Sequence, residues 1–398
     1  MSSLADVHLI DAVRTVFGKN RGALSGIRTD DLAALPIQEL VARHPALDPT
    51  SGEGLEIDDV YYGNTNGAGE ENRNVARMAA LLAGLPVTVP GVTVNRLCAS
   101  GGEAVVQASR AVATGDADLV IAGGVEGMSR APFVLPRPDE ALPRSMELHQ
   151  TTVGWRLVNP RFPDEWTRSL GESAQRVAEE KGIGRAEQDE WAARSHQLVA
   201  AAYDQGRHEG FVMPLNEVQQ DETLRRDSTP HSLGALRPAF TADGAVTAGN
   251  SSPISDGALA ALVGTRAVAE RMEVEPLARI VGSATVGVSP ERFAVAPVPA
   301  IAKLLKRAGL SHQDIDLWEI NEAFAAMVLS TLDELPEVDR ERVNVNGGAI
   351  AIGHPLGASA PRVIVDLARE LRRRGGGVGV AAACIGVGLG QAVLVRVD

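Results

Sequence analysis

Short runs of β-branched and aliphatic residues alternate along the chain with longer Ala- and Leu-rich segments of helical periodicity. Continuous apolar runs are typical of strands buried on both faces, and helices usually connect such strands in parallel order. The pattern therefore predicts an α/β protein with largely parallel, buried strands. The predicted strands form two series, the first at residues 7–12, 59–62, 92–95 and 119–122, and the second at 278–283, 316–320, 343–346, 378–382 and 392–397.

The two series look like copies of one unit. The strand at 92–95 leads through small residues to Cys98 and a helix, and the strand at 343–346 leads through glycines to His354 and a helix at 361–374. Equivalent strands of duplicated halves end at the same edge of the fold, so these two segments are expected to converge on one site. The predicted halves are residues 1–122 with 249–274, and residues 275–398.

A different kind of sequence separates the two series, at residues 123–248. It is rich in proline, contains a charged helix at 171–182 and holds three of the four tryptophans, Trp155, Trp166 and Trp191. We interpret it as an inserted loop or lid domain. Such insertions often carry ligand contacts over a rigid scaffold, although a structural cap or an oligomer contact is equally common.

Cys98 is the most informative single residue, because it lies between an apolar strand and a mostly apolar helix predicted at 103–113. A thiol at a helix N-terminus is favoured as thiolate by the helix dipole. A lone cysteine is otherwise more often a small core residue. The alternatives are therefore a nucleophile and a packing residue.

Charge and composition narrow the class of protein. The chain has 398 residues and a formal net charge of −13, which argues against nucleic-acid binding. The arginine run at 372–374 is better explained as a solvated helix C-terminus. Residues 1–6 do not have the basic-plus-apolar pattern of a signal, and no apolar run is long enough to cross a bilayer, so we expect a cytoplasmic protein without membrane contact.

Cofactor motifs are sparse. The two cysteines, Cys98 and Cys384, form no disulfide framework, and with one nearby histidine they lack the spacing of a metal site. Neither a dinucleotide-binding glycine fingerprint nor a phosphate-binding P-loop occurs. We therefore expect no metal and no permanently bound cofactor.

Four segments that each follow an apolar strand carry the candidate chemistry: the Cys98 turn, Asn321-Glu322-Ala323-Phe324-Ala325, the glycine-rich stretch 347–357 around His354, and 384–390 around Cys384. Repeated glycines allow backbone to approach a ligand closely. A thiol, an imidazole and a second thiol suit acyl transfer: Cys98 would hold an acyl group as a thioester, His354 would act as base, and Cys384 would exchange a proton.

These four segments, in order and spacing, resemble the signatures of the thiolase family over essentially the full chain. The opening Arg14-Thr15-Val16-Phe17-Gly18-Lys19 is also similar to the family's first motif, with Val16 in place of proline. The resemblance implies a thiolase fold, in which two duplicated βαβ-rich halves form a five-layered α/β/α/β/α body with an inserted loop domain. It also implies a homodimer or homotetramer that uses coenzyme A as co-substrate.

The resemblance assigns roles as well. Cys98 would be the acylated nucleophile, His354 its activating base and Cys384 the acid/base for the acetyl carbon. Asn321 would position a water that binds the thioester oxygen together with His354. The backbone N–H groups of Cys98 and Gly386 would form a second oxyanion hole.

Several neighbouring residues have supporting or binding interpretations. Glu322 would orient the site or satisfy buried backbone donors, and support is favoured because an unpaired buried carboxylate is costly. By resemblance, Ser252 would contact the pantetheine chain of CoA, Arg225 the nucleotide end, and Ser232 is a further candidate in the same loop. An exposed arginine such as Arg225 is otherwise explained as a solvated charge.

Three positions depart from the family pattern: Gly102 where a larger apolar residue is usual, Leu170 where methionine often faces the acyl group, and Ala360-Pro361 in place of Gly-Ala. Gly102 would widen the acyl pocket or loosen the turn. Pro361 is tolerable if it falls in the first turn of its helix. These departures predict altered acyl preference.

Segments 64–78 and 151–160 and the Cys-Ile-Gly-Val-Gly ending resemble the 3-oxoadipyl-CoA thiolases of aromatic-compound catabolism. That substrate has a distal carboxylate, and a cation would be needed to bind it. The candidates are Arg73, Arg77, Arg156 and Arg161.

Other functions remain open at this stage. Within the family the alternative is an acetoacetyl-CoA thiolase or a general fatty-acid or steroid β-oxidation thiolase. A non-catalytic thiolase-like protein that binds acyl-CoA or lipid would not need Cys98, His354, Cys384 and Asn321 together. A ketoacyl synthase is disfavoured by the Cys384 segment, and a cysteine hydrolase would lose the same thioester to water.

Overall fold

The computed structural model describes residues 6–48, 54–215 and 217–398. The strands, in chain order, are β1 (Val7–Thr15), β2 (Gly18–Lys19), β3 (Asp59–Gly63), β4 (Val92–Val94), β5 (Leu119–Gly127), β6 (Phe133–Val134), β7 (His149–Gln150), β8 (Val212–Met213), β9 (Ser255–Thr265), β10 (Ala278–Gly287), β11 (Leu317–Ile320), β12 (Gly377–Ile385) and β13 (Leu389–Val397).

The α-helices are α1 (Thr29–Arg43), α2 (Val75–Leu82), α3 (Ser100–Thr114), α4 (Leu170–Glu180), α5 (Arg185–Asp204), α6 (Pro230–Gly234), α7 (Arg266–Arg271), α8 (Pro297–Ala308), α9 (Ala325–Asp333), α10 (Ala349–Ile352) and α11 (Leu356–Arg373). Their ends follow local chemistry. Ser169 caps α4 in a capping box with Glu172. Gly115 ends α3 with φ +80°, a left-handed conformation that glycine adopts without strain.

One sheet runs through the molecule in the order β11-β12-β13-β10-β1-β9-β5-β3-β4. It consists of two half-sheets that join where β1 pairs with β10. In the first half the strands lie in the order third, second, fourth, fifth, first along the chain. The second half has the same order if Val343, which bridges Trp318 in parallel, takes the place of β4. The shared order agrees with the predicted duplication.

The pairing is mixed, which corrects the expectation of a largely parallel sheet. The pairs β3–β4, β3–β5 and β11–β12 are parallel, whereas β1–β9, β5–β9, β10–β13 and β12–β13 are antiparallel. β5 and β9 are buried on nearly all of their residues. A continuous apolar sequence indicates that a strand is buried on both faces, but it does not tell parallel from antiparallel pairing. Here helices cover both faces of the antiparallel strands as well.

One long strand was missed and one predicted strand was wrong. β9 was missed because its Ala- and Leu-rich sequence resembles a buried helix. The predicted strand at 343–346 is a single bridge followed by a turn, in which Asn344 has φ +49°. The Asn344 side chain replaces ladder bonds: it accepts from the Ile320 N–H at 2.8 Å and donates to the Ile320 carbonyl at 2.8 Å.

Five layers follow from the packing. Helices α1 and α2 cover the outer face of the first half-sheet, α3 and α11 lie together between the two half-sheets, and α8 covers the outer face of the second. Each interface has its own apolar core. The central one combines valines and alanines of α3 with Ile364, Leu367 and Leu371 of α11, so the middle layer stabilises both halves.

α11 begins earlier than predicted, at Leu356, so Pro361 lies inside the helix beyond its first turn. This corrects the first-turn interpretation of Pro361. The ring faces α3, where a Cβ on Gly101 would come within 2.7 Å of it and within 2.2 Å of the Gly357 carbonyl oxygen. Gly101 therefore permits the close approach of the two central helices.

The inserted segment is attached firmly to the first half. β5 continues to Gly127, beyond its predicted end, and β8 returns to pair in parallel with β1. A buried ion pair adds to this contact: Arg14 donates to both carboxylate oxygens of Asp221 at 2.7 Å, and Tyr203 donates to the same carboxylate at 2.8 Å. The segment packs on the scaffold through α4 and α5.

Candidate active site

Cys98 lies in a tight turn directly before α3, as predicted. Leu97 has φ +47°, a left-handed conformation that is costly for a branched apolar residue. Side chains hold the turn: Asn95 accepts from the Leu97 N–H at 2.9 Å, and Ser100 accepts from the Arg96 N–H at 2.9 Å and donates to the Leu97 carbonyl at 2.6 Å. The turn is thus fixed in a strained shape, a common property of reactive sites.

The Cys98 sulfur faces two backbone N–H groups, its own and that of Gly386, and both favour the thiolate. Burial opposes them and is the larger effect, so the pKa of the Cys98 thiol is raised to about 11. The nearby Glu126 carboxylate adds to the increase. Position at a helix N-terminus therefore does not suffice to ionise Cys98, and the thiol needs a base at neutral pH.

Cys384 lies near the end of β12 and is 1 % exposed. Burial raises its thiol pKa well above the ordinary value, and the electrostatic influence of Cys98 raises it further. The two thiols come from opposite halves of the chain and interact electrostatically. Both cysteines are free thiols.

His354 lies between Asn321 and Ser359. Its Nδ1 is 2.6 Å from the Ser359 hydroxyl, which itself donates to the Pro355 carbonyl at 2.9 Å. Because that hydroxyl has a single proton, it accepts from Nδ1–H, and the Nε2 lone pair is left to face the Asn321 amide at 3.4 Å. Burial, and secondarily the charge of Arg362, lowers the pKa of His354 to about 3. The resting imidazole is neutral and can accept a proton.

Glu322 has a supporting position. One carboxylate oxygen accepts from the Trp191 indole at 3.0 Å and from the Asn344 amide at 3.1 Å. The other accepts from the Ser195 hydroxyl at 2.6 Å and from the Ile350 N–H at 3.2 Å. Both oxygens are thus occupied, and Glu322 links the inserted helix α5 to the segment that leads to His354.

Sequence reasoning missed Glu126, a buried carboxyl at the end of β5. It accepts from the N–H groups of Thr65 at 3.0 Å, Asn66 at 3.0 Å and Gly357 at 2.9 Å. Burial raises its pKa to about 7. The available signal was its place at a strand end on the same edge as Cys98.

Trp155 from the inserted segment covers the site, which was also not foreseen. A Cβ on Gly386 would come within 3.1 Å of the Trp155 ring. The indole N–H donates to the Arg168 carbonyl at 3.1 Å and so fixes the ring. The predicted lid therefore contacts the Gly386 backbone at the reactive thiol.

The CoA candidates divide into two groups. Ser252 joins the site: its N–H and its hydroxyl both donate to the Ala323 carbonyl at 3.0 Å, and the neighbouring Pro253 carbonyl accepts from the His354 N–H at 3.3 Å. Arg225 is exposed in the inserted segment. Ser232 is also exposed, and its hydroxyl is used in the capping box of α6.

Two departures from the family pattern contact each other. A Cβ on Gly102 would meet the Gln391 amide oxygen at 2.5 Å and the Ala360 Cβ at 2.9 Å. Gly102 therefore faces Ala360 in the central helical layer, and the interpretation as a wider acyl pocket is corrected to one of packing compensation. Leu170, the third departure, starts α4 and packs against the core of the second half.

Within residues 6–48, 54–215 and 217–398, no group of three or more metal-binding side chains comes together. Over the same residues no helix combines the length and apolarity that membrane crossing requires.

A buried thiol held by two N–H groups, a neutral imidazole in a defined tautomer and a second thiol define a cysteine-dependent acyltransferase. The chain belongs to the thiolase family: the model of the thiolase N-terminal domain matches residues 7–267, and that of the thiolase C-terminal domain matches residues 274–397. The predicted α/β thiolase fold is confirmed.

Known proteins similar to the chain agree with this assignment. It is 47% identical over 405 residues to the beta-ketoadipyl-CoA thiolase of Escherichia coli, covering 99% of this chain and 100% of the relative. It is 38% identical to a 3-ketoacyl-CoA thiolase of Bacillus subtilis, covering 96% and 97%. The crystal structure of human mitochondrial 3-ketoacyl-CoA thiolase in complex with CoA superposes with a TM-score of 0.90 at 35% identity, covering 100% and 99%.

Proposed function

We propose that the protein cleaves 3-oxoadipyl-CoA with free CoA into acetyl-CoA and succinyl-CoA, reversibly through Claisen condensation. The observation that carries the proposal is the pairing of two buried thiols: the Cys98 sulfur faces the Gly386 N–H, and Cys98 raises the pKa of Cys384 electrostatically. The E. coli relative supports the dicarboxyl substrate.

In the first half-reaction, the Cys98 sulfur attacks the 3-oxo carbon while His354 accepts the thiol proton. The bond between carbons 2 and 3 breaks, and its electron pair forms the enolate of acetyl-CoA. Cys384 donates its proton to that enolate, which completes acetyl-CoA and leaves succinyl-Cys98. The high pKa of Cys384 keeps this proton in place until the enolate forms.

In the second half-reaction, the thiol of free CoA attacks the succinyl thioester. Cys384, now a thiolate, accepts the CoA proton, and Cys98 leaves with the proton held by His354. Two thiols thus exchange one acyl group without oxidation or reduction. Burial of both sulfurs supports transfer to CoA over loss to water.

Negative charge develops on oxygen in both half-reactions. The N–H groups of Cys98 and Gly386 are proposed to stabilise the charge on the tetrahedral carbon that Cys98 attacks. Asn321, at 3.4 Å from His354, is proposed to stabilise the enolate oxygen of the acetyl-CoA unit through a water, together with the imidazole. Ser252 is proposed to contact pantetheine, because it lies beside the Asn321 loop.

CoA is proposed as a co-substrate that leaves after each cycle, with no permanently bound cofactor. Arg225 and Ser232 remain the candidates for the nucleotide end. Ser232 is the weaker of the two, since its hydroxyl already caps α6.

For the distal carboxylate we propose Arg156. It is half-buried, directly follows Trp155 and has no ion pair or side-chain hydrogen bond to the residues that the structure describes. Arg77 donates to the backbone carbonyls of Val87 and Val89, and Arg161 donates to Asn159 in its own loop.

Arg73 is exposed. A half-buried guanidinium without a partner would gain most from a carboxylate, which supports Arg156 over Arg73.

The test compares thiolysis of 3-oxoadipyl-CoA with that of 3-oxohexanoyl-CoA, which has the same chain length without the carboxylate. We expect the dicarboxyl substrate to have the higher kcat/KM, and Cys98→Ala to abolish cleavage of both. Arg156→Gln should lower kcat/KM for 3-oxoadipyl-CoA about 10- to 100-fold and leave 3-oxohexanoyl-CoA almost unchanged.

Arg168→Gln is the matched control, because Arg168 meets Trp155 through its backbone carbonyl. Equal cleavage of both substrates by the wild-type protein would favour the general β-oxidation alternative, for which the B. subtilis relative is the specific support. Cleavage confined to acetoacetyl-CoA would favour an acetoacetyl-CoA thiolase. No turnover and no acylation of Cys98 would favour a binding protein.

We further propose a homodimer or homotetramer in the cytoplasm. The inserted segment has a group of exposed large apolar side chains, which a second copy could cover. They are Phe133, Leu135, Leu142, Leu148, Leu157 and Phe162. Light scattering during size exclusion would distinguish a monomer from the two assemblies.

A further inference from the structure

Arg362 on α11 is a cation that contacts Asn321, one of the residues proposed to be catalytic. It is 1 % exposed. One terminal nitrogen donates to Asp366 at 3.0 Å, and the other donates to the amide oxygen of Asn321 at 3.5 Å. The Asn321 amide nitrogen faces His354. A chain of contacts therefore runs from Asp366 to the imidazole.

The direction of hydrogen bonding along these contacts is fixed at both ends. A guanidinium can only donate, so it requires the oxygen of the Asn321 amide on its side. At the other end, Ser359 fixes the proton of His354 on Nδ1, so Nε2 requires a donor. A flipped Asn321 amide would direct its NH₂ group at the guanidinium and its oxygen at the Nε2 lone pair.

Two carboxyl groups adjoin the Arg362 guanidinium: Asp366 forms an ion pair with it at 3.0 Å, and Glu319 is the second. Glu319 lies 4.0 Å away, and burial raises its carboxyl pKa well above the ordinary value. After burial, which is the larger effect, the positive charge of Arg362 also contributes to the low pKa of His354. The other titratable groups that border the site are Cys98, Cys384 and Glu126.

We propose that Arg362 is a positioning residue for acyl transfer, which holds the Asn321 amide with its N–H toward His354 and toward the water that binds the enolate oxygen. The proposal rests on the function proposed above. Arg362 touches neither the reacting carbon nor the sulfur, and it acts through the orientation of Asn321. Its charge adds to the effect of burial, which favours the neutral imidazole.

The experiment measures kcat, KM and the pH profile of thiolysis for Arg362→Met and Arg362→Lys, each normalised to the number of sites that a stoichiometric acyl donor labels. Arg362→Met should lower kcat per labelled site about 10- to 100-fold, as expected for a misaligned oxyanion donor, with KM changed less than about threefold. The acid limb of its pH–rate profile should move to higher pH, because the loss of a neighbouring positive charge raises the pKa of His354.

Arg362→Lys should keep the acid limb of the wild-type protein, since the charge remains, and should lower kcat because a lysine lacks the planar fork that spans Asp366 and Asn321. Arg14→Lys is the matched control, as Arg14 forms an equally buried pair with Asp221. It should reduce Tm without altering the pH profile.

A reduced Tm with unchanged kcat per site and an unchanged pH profile in the Arg362 variants would overturn the proposal and leave a purely structural role. If Arg362→Met does not fold, the lysine variant decides, and a wild-type kcat in that variant overturns it. Failure of the proposed function is distinguishable, because the wild-type protein itself would then cleave no 3-oxoacyl-CoA.

Discussion

Cys98 is expected to be a neutral thiol in the resting protein, with its ionisation suppressed by burial. Burial raises its pKa from 9.0 to about 11 despite the favourable N–H groups of Cys98 and Gly386. This difference lowers the thiolate population about a hundredfold, which corresponds to about 2.7 kcal/mol. The neutral state of His354 agrees with it, because an imidazolium next to the thiol would stabilise the thiolate.

The assay is the rate of Cys98 alkylation by iodoacetamide between pH 7 and pH 10.5, followed by peptide mass spectrometry. Only the thiolate reacts, so the rate should rise about tenfold for each pH unit and should not level off below pH 10. The comparison across pH cancels the limited access of the reagent to a buried sulfur. Cys98→Ser controls for labelling elsewhere, and Cys384→Ser controls for the second thiol.

A plateau near pH 8 or below would refute this reasoning. It would mean that the resting site holds a thiolate and imidazolium pair, so burial would not be the dominant effect on either group. In that case the pKa of His354 would have to be raised, and Cys98 would need no base during acylation.

Three further changes test the packing around the site. Glu322→Gln directs an NH₂ group at donors that now bind a carboxylate, so chemical denaturation should show the unfolding free energy reduced by about 1–3 kcal/mol. Gly102→Met should reduce the unfolding free energy by about 1–3 kcal/mol in the same assay, and adding Ala360→Gly should restore part of it. The ratio of kcat/KM between acyl chains of different length should stay unchanged. Burial alone would raise the pKa of the Glu370 carboxyl, but contacts with Arg373 and Arg374 outweigh burial and lower this pKa to about 2. The ionised carboxylate therefore stabilises the folded protein fully above the ordinary pKa of 4.5, and this stabilisation is lost as the pH falls toward 2. Glu370→Gln should flatten the dependence of unfolding free energy on pH across that window.

The segments proposed to be catalytic could be picked out from sequence because each follows an apolar run and carries residues of unusual chemistry. They bring together residues from distant parts of the chain: Asn321 faces His354, and Cys98 interacts electrostatically with Cys384. The direction of the Cys98 pKa shift was not predictable, since the helix dipole can be inferred from sequence while the depth of burial depends on tertiary packing.

The supporting residues were less visible. Glu126 and Trp155 have ordinary local sequence, and their roles arise from contacts with residues more than 200 positions away. Gly102 and Ala360 were each noticed as departures, but their mutual contact appears only when α3 and α11 meet in the central layer. β9 shows the same limit, because an Ala- and Leu-rich strand buried on both faces has no distinguishing period.

The shared central layer also has a consequence for biogenesis. α3 emerges from the ribosome early, whereas α11, which covers its apolar face, is among the last helices to be synthesised. Until then the nascent first half exposes that face, a condition that favours chaperone binding and premature association. Contacts between residues so far apart in sequence also predict slow folding. A protein truncated before α11 should consequently accumulate in aggregates, even though its first half-sheet retains every strand.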